Sequence, residues 1–114
     1  MHELPFVLNI VNTVDQLAET NHITNIRSVV IELGEGTGAM PEYIQTLWPV
    51  TIEGTRLSKP ILEIEMIPCI VKCRNCHTKY HLYDHKSICP TCKNETWDLL
   101  SGKNLIVKEI KVTD

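Results

Sequence analysis

Four cysteines fall in two pairs, Cys73-x-x-Cys76 and Cys89-x-x-Cys92, with twelve residues between the pairs. Each C-x-x-C closes a tight turn that aims two sulfurs at one point, and the intervening loop brings the second pair round to complete a tetrahedral thiolate shell. Zinc is the metal such a cage suits. Because Zn²⁺ has no redox chemistry and four thiolates leave no open coordination position, the expected role is a structural clamp rather than a catalytic centre.

The rest of the composition fits a small body carrying a metal-held appendage. Of the 114 residues 43% are hydrophobic, with only one Phe, two Trp and three Tyr, enough for one modest aliphatic core. No stretch reaches the ~20 apolar residues of a membrane span, and the N-terminus lacks the basic run and cleavage site of a secretory signal. A cytoplasmic location is expected, where cysteine pairs at this spacing serve metals more often than disulfides. Cys69 is left over; beside Pro68 it is expected to be a buried, inert thiol, with an alternative ligand role as the competing assignment. The net charge of −3 argues against a nucleic-acid partner. Between Lys72 and Lys93, however, five basic residues face one acid, Asp84. After a zinc–tetrathiolate centre contributes about −2, that segment is weakly cationic, a solvated surface or a contact for an acidic partner protein.

Hydrophobic periodicity places the elements. Pro5 suits a first helical turn, and Phe6, Val7, Ile10, Val11, Val14, Leu17 and Ala18 recur at helical spacing, predicting an amphipathic helix to about Glu19. Ile23 to Leu33 reads as a strand in which Val29, Ile31 and Leu33 share a face. The Gly34 to Gly38 loop matches neither glycine-rich phosphate-binding pattern and is expected to be a connection. Pro41 opens a second helix with Ile44, Leu47 and Trp48 on one side, and Pro49 should kink or end it. A strand from Ile61 to Ile67 sets Leu62, Ile64 and Met66 on one face and stops at Pro68; a last strand spans Leu105 to Val112. The fold class predicted is α+β: a small three-stranded mixed sheet with two helices, plus an inserted zinc-ribbon-like four-cysteine lobe. Residues 1–68 and 103–114 form the α/β domain and 69–102 the zinc-binding domain.

The chain begins Met1-His2-Glu3. With histidine second, the terminal amine, the amide nitrogen of residue 2 and its imidazole form fused chelate rings of the kind that Ni(II) and Cu(II) favour. A fourth donor is open to the Glu3 amide or carboxylate, or to another part of the fold. Leu4 and Pro5 begin the helix at once, which tethers this end to the body.

Together, Met1-His2-Glu3-Leu4, Val30-x-Glu32-Leu33-Gly34, Glu53-Gly54-Thr55, Leu62-x-Ile64 leading to Pro68, the two cysteine pairs with Cys89-Pro90-x-Cys92, and Gly102-x-x-Leu105 resemble the HypA/HybF family of hydrogenase maturation proteins over essentially the whole chain. The resemblance implies a nickel metallochaperone, not an enzyme. It would pass Ni(II) to the NiFe-hydrogenase large subunit with the HypB GTPase, and in some organisms serve urease maturation, as a monomer or homodimer. The family's nickel site carries over to His2, with Glu3 and the Met1 amine as further donors, which makes the α/β domain the nickel-binding one. Its structural zinc carries over to Cys73, Cys76, Cys89 and Cys92. The family often has glycine after each C-x-x-C, where a left-handed turn is needed; here His77 and Lys93 stand there, leaving Asn94 as a candidate for that turn. It also usually has an acid where Asn104 stands.

His77, His81 and His85 lie between the cysteine pairs, either as solvated loop residues or as sensors of pH or nickel state near the zinc shell. Two other functions use the same cysteines. A zinc-ribbon nucleic-acid-binding or scaffolding module would show salt-dependent binding to DNA or RNA. A rubredoxin-like electron-transfer protein would hold iron, which Cys-Pro-x-Cys also suits, and would be red where the zinc protein is colourless. Hydrolysis fits least, since the cage has no water position and no nucleophile–histidine arrangement is visible at readable spacing.

Overall fold

Val7, Ile10, Val11, Val14 and Ala18 form the buried stripe of α1 (Glu3–Thr20), at the i, i+3, i+4, i+7 spacing that a helix lays on one face. The stripe is narrower than the periodicity predicts: Phe6 is half-buried and Leu17 is exposed. The computed structural model describes residues 3–53, 55, 57 and 59–113. At the C-terminal end of α1 the Ile23 N–H returns to the Ala18 carbonyl at 2.8 Å, and His22 takes the left-handed conformation at φ 56°. That is a helix-capping turn, so Ile23 closes α1 instead of opening a strand. The strand β1 (Ile26–Gly34) therefore starts three residues later than its β-branched run suggests.

After β1 a short 3₁₀ turn, Glu35–Thr37, leads through left-handed Gly38 to α2 (Pro41–Ile52). Pro41 sits in the first turn, where a missing N–H is harmless. Pro49 lies inside α2 and does not end it. Trp48 and Ile52, on either side of it, are 3% and 4% exposed, and burial of both outweighs the one hydrogen bond that the proline removes. The Trp48 indole N–H also donates to the Pro60 carbonyl at 2.8 Å, pinning α2 to the start of β2 (Ile61–Ile67).

The central strand is β1, with β2 parallel on one side and β6 (Leu105–Val112) antiparallel on the other. Val29, Ile31 and Leu33 face the helices and form one core with the α1 stripe, Ile44, Trp48, Ile52, Leu57 and Leu62. Met66, expected on that face, is exposed at 46%. The opposite face of β1 is closed by charged side chains. Lys111 on β6 reaches Glu63 on β2 at 3.2 Å and Lys108 reaches Glu65 at 3.0 Å, each crossing β1. Their aliphatic stems cover the strand while their ammonium groups stay in water, which accounts for the 2% exposure of Val30.

Between β2 and β6 lies a second, antiparallel sheet of β3 (Ile70–Cys73), β4 (Lys79–His81) and β5 (Trp97–Ser101) in the order β4-β3-β5. Its core is separate: Cys69, Val71, Cys73, Tyr80, Leu82 and Cys89. The molecule is elongated, 53 × 28 × 18 Å, with the helices and first sheet forming a body and this smaller sheet a lobe. Where the chain leaves the lobe at 102–104, its backbone lies against the end of β1. The Gly36 N–H donates to the Gly102 carbonyl at 2.7 Å and the Gly34 N–H to the Asn104 carbonyl at 3.0 Å. Asn104 thus acts through its main chain, and the family's usual acid at this position is not needed for the contact.

Candidate metal centre

In the lobe, Cys73 ends β3 and Cys76 completes the turn that follows it, while Cys89 and Cys92 sit on the matching turn before β5. The two turns are built alike. The His77 N–H donates to the Cys73 carbonyl and the Lys93 N–H to the Cys89 carbonyl, both at 3.0 Å; the Cys73 N–H is held by Thr78 and the Cys89 N–H by Asn94. The backbone at His77 and Lys93 is left-handed, with φ 65° and 67°. The left-handed turn of the second pair is thus made by Lys93 itself and not by Asn94. Asn94 instead accepts from Cys89 with its carbonyl and from the Thr96 N–H with its side chain.

The ligand atoms of Cys73, Cys76, Cys89 and Cys92 all lie within 4.8 Å of one another. The Cys73–Cys92 and Cys76–Cys89 sulfurs are 3.6 and 3.5 Å apart. Zinc–sulfur bonds of about 2.3 Å in a tetrahedron require sulfurs about 3.8 Å apart, so the four fit one Zn²⁺ with small adjustment. A disulfide would demand about 2.05 Å, and all five cysteines are free thiols. At Cys76 and Cys92 neighbouring donors favour thiolate. The Thr78 hydroxyl, 3.1 Å from the Cys76 sulfur, and then the Thr78 amide lower the Cys76 pKa; the Asn75 side chain and then the Asn94 amide lower that of Cys92. Thr78 and Asn75 carry no pattern that would have singled them out, since their role depends on where the turn aims them.

A left-handed conformation costs an L-residue about 1–2 kcal/mol, and glycine gives back part of that gain in unfolded-state entropy. Lys93→Gly is accordingly expected to stabilise the metal-loaded lobe by about 0.5–1 kcal/mol, read as a higher thermal midpoint with zinc content unchanged.

Cys69 lies outside the cluster. It is 2% exposed, and burial first, then the Glu35 charge, raise its thiol pKa, as suits a buried, unreactive side chain. His77 and His85 are exposed, the latter in edge contact with the Tyr80 ring, and no histidine of the loop joins the four sulfurs. His81 points elsewhere, to Glu35 of the body at 2.6 Å.

At the amino end, Met1 and His2 lie outside the described residues, so the nickel donors expected there have no geometry to report. Glu3 is described and is nearly buried, 4% exposed. Its Oε2 accepts the Met40 N–H at 2.9 Å. Met40 is the residue that caps α2 and has no capping side chain of its own, so the first turn of α1 supplies the cap for α2 from a distance of 37 residues. Glu3→Ala is expected to destabilise the body by about 1–2 kcal/mol in urea unfolding, because it leaves the Met40 N–H unpaired; Glu3→Gln, which keeps an acceptor oxygen, should lose less than half of that.

Among the described residues no helix is long and apolar enough to cross a membrane. The family model described as hydrogenase/urease nickel incorporation, metallochaperone, hypA matches residues 1–112. Among curated proteins, the chain is 36% identical to the hydrogenase maturation factor HypA of Trichormus variabilis and 37% identical to that of Trichodesmium erythraeum, in each case over 100% of this chain and 97% of the relative. In three dimensions it resembles the solution structure of the Ni metallochaperone HypA from Helicobacter pylori, with a TM-score of 0.71 and 18% identity over 98% of this chain and 97% of that one, a likeness of fold. Two helices over a mixed sheet, an inserted lobe with four converging thiols and a family match across the chain lead to one conclusion: this protein belongs to the HypA family of nickel metallochaperones for hydrogenase maturation.

Proposed function

We propose that the chain carries Ni(II) at its amino terminus and hands it on for assembly of the NiFe-hydrogenase large subunit, with Zn(II) held permanently by Cys73, Cys76, Cys89 and Cys92. The two centres divide the labour: residues 1–68 and 103–114 handle nickel, and 69–102 hold zinc. Four thiolates close the zinc shell and leave no position from which a cargo ion could leave. The leading edge is suited to release. The Met1 amine, the His2 amide nitrogen and the His2 imidazole form a nitrogen-rich chelate, and a partner can take the ion from it by ligand exchange. HypB is the GTPase partner proposed for that handover in the cytoplasm, and the same cargo suits urease maturation. The chain is proposed to act by binding and transfer, without catalysis.

The observation that carries this assignment is the family match, which begins at residue 1 and so includes Met1-His2-Glu3. The anchoring of Glu3 supports it. A carboxylate tied to Met40 holds the start of α1 against α2. With Oε2 engaged, Glu3 serves nickel through its amide or its other oxygen. Nickel titration of protein with its native, untagged start provides the test. His2→Ala is expected to abolish stoichiometric nickel binding while zinc content and helical circular dichroism stay unchanged; nickel uptake equal to that of the parent would refute the assignment.

A further inference from the structure

The backbone contacts of Gly34 and Gly36 with the 102–104 segment are not the whole junction between body and lobe. Beside them runs a side-chain bridge. Glu35, in the 3₁₀ turn of the body, uses Oε1 to accept the Cys69 N–H at 2.9 Å, and Nε2 of His81 on β4 lies 2.6 Å from the same oxygen. The two side chains are 33% and 21% exposed, so the bridge is partly shielded from water.

The other face of the His81 ring has two ways to be satisfied. Its Nδ1 lies 3.1 Å from the Asp84 N–H and 3.2 Å from the Asp84 carboxylate. Only an unprotonated Nδ1 accepts the N–H, and only a protonated one donates to the carboxylate. In the neutral ring, Nε2–H donates to Glu35 and Nδ1 accepts from the Asp84 amide. In the cation, Nε2–H still donates to Glu35, now as one half of an ion pair, and Nδ1–H donates to the Asp84 carboxylate. Each charge state has a complete set of partners, so the proton can come and go without stranding a polar atom. What changes is the strength of the tie across the junction.

We propose that the Glu35–His81 bridge is a proton-controlled latch between the two lobes, closed on the body while His81 is protonated and loosened when it is neutral. The groups facing His81 are Glu35 from the 3₁₀ turn, Asp84 and the edge of the Tyr83 ring from its own loop, and the Cys69 peptide, which shares the Glu35 oxygen; Ile70 is its cross-strand partner on β3. The two carboxylates favour the charged ring. Accordingly, the hydrogen bond to Glu35 first, opposed by partial desolvation and aided by Asp84, raises the His81 pKa above its ordinary value. The hydrogen bond from His81 first, and that from the Cys69 amide second, lower the Glu35 pKa. The raised His81 value means that the ion-pair contribution to the latch is fully present below a pH of about 6.5 and is lost as pH rises through the folded value, leaving the weaker neutral hydrogen bond. The lowered Glu35 value means that its contribution is present above about 4.5 and fades as pH falls through the lowered value. The latch is thus closed in mildly acidic solution and opens toward alkaline pH. The glycine backbone contacts do not titrate and act as the pivot. The latch does not depend on the nickel assignment.

Isotope-labelled, zinc-loaded full-length protein tests this. The Cys69 amide reports the latch directly, and the Cys73 amide, bonded to Thr78 within the lobe, is the control. Between about pH 6 and 9, after correction for intrinsic exchange, Cys69 protection is expected to fall about threefold to tenfold while Cys73 stays constant, and the fall should track a His81 imidazole midpoint above about 6.5. Glu35→Gln, which keeps an acceptor oxygen without the charge, should flatten the response and return the His81 midpoint toward its ordinary value. His81→Lys, a cation throughout this range, should keep Cys69 protected at both ends. A flat Cys69 profile in the parent protein, a His81 midpoint at or below about 6.5, or a response that survives in either variant overturns the latch.

Discussion

Cys89→Ser is expected to lower the zinc content of the purified chain from one ion to near none and to unfold residues 69–102, while the helices of the body keep their far-ultraviolet signature. The reason lies in what the lobe has for a core. Its buried cluster holds only six residues, Cys69, Val71, Cys73, Tyr80, Leu82 and Cys89, and three of these are cysteines. Segments of fewer than about 40 residues rarely bury enough apolar surface to fold without a metal or cross-link. Structural zinc sites contribute apparent binding free energies of about 10–16 kcal/mol, so loss of one ligand removes the largest stabilising contribution that the lobe has. Cys89 itself is fully buried, and a serine hydroxyl there is both a poor ligand and an unpaired polar group. Metal analysis with amide spectra of the lobe would decide. A full zinc complement in this variant would mean that another side chain had replaced the sulfur, which the position of Cys69 outside the cluster argues against. An absorbance scan of the same preparation separates zinc from iron, because ferric thiolate is strongly coloured.

The second large effect is expected at the junction. Gly102 has φ +89°, and a Cβ added there would lie 2.5 Å from the Pro68 carbonyl oxygen and 2.7 Å from the Cys69 Cα. Both neighbours are backbone and cannot swing aside. Gly102→Ala therefore combines a left-handed penalty of about 1 kcal/mol with an overlap worth about 1–3 kcal/mol, a total of about 2–4 kcal/mol in urea unfolding. Gly38 provides the contrast. It also has positive φ, +79°, but nothing stands within 4 Å of its missing Cβ, so Gly38→Ala should cost about 1 kcal/mol only. Equal losses in the two variants would show that the close approach of Gly102 to the Pro68–Cys69 backbone does not limit packing.

Where local periodicity and tertiary packing agree, the elements are legible in the residues. The α1 stripe apart from Phe6 and Leu17, the shared face of Val29, Ile31 and Leu33, and the strand after Pro60 appear where spacing alone puts them. Disagreements arise where a propensity meets a stronger contact, whether distant packing or a local hydrogen bond. Pro49 is a helix breaker by its ring, yet burial of Trp48 and Ile52 carries α2 through it. Ile23 has the side chain of a strand residue, but its N–H is needed to cap α1. Lys93 accepts a left-handed backbone because the hydrogen bond from its N–H to Cys89 requires it.

The metal site divides in the same way. That four sulfurs would converge follows from two C-x-x-C turns twelve residues apart, because the geometry of such a turn is local and nearly independent of its surroundings. Glu3 as the cap of α2, Thr78 and Asn75 as donors to sulfur, and Glu35 as the tie to His81 carry no spacing of their own. Thr78 depends on how its own turn aims it, and the Glu3 and Glu35 contacts depend on chain segments brought together by the fold, across 37 residues for Glu3 and Met40 and 46 for Glu35 and His81. Short-range chemistry is written residue by residue, so the cage is readable from the chain; the contacts that orient the lobe exist only after distant strands have paired, and no local pattern encodes them.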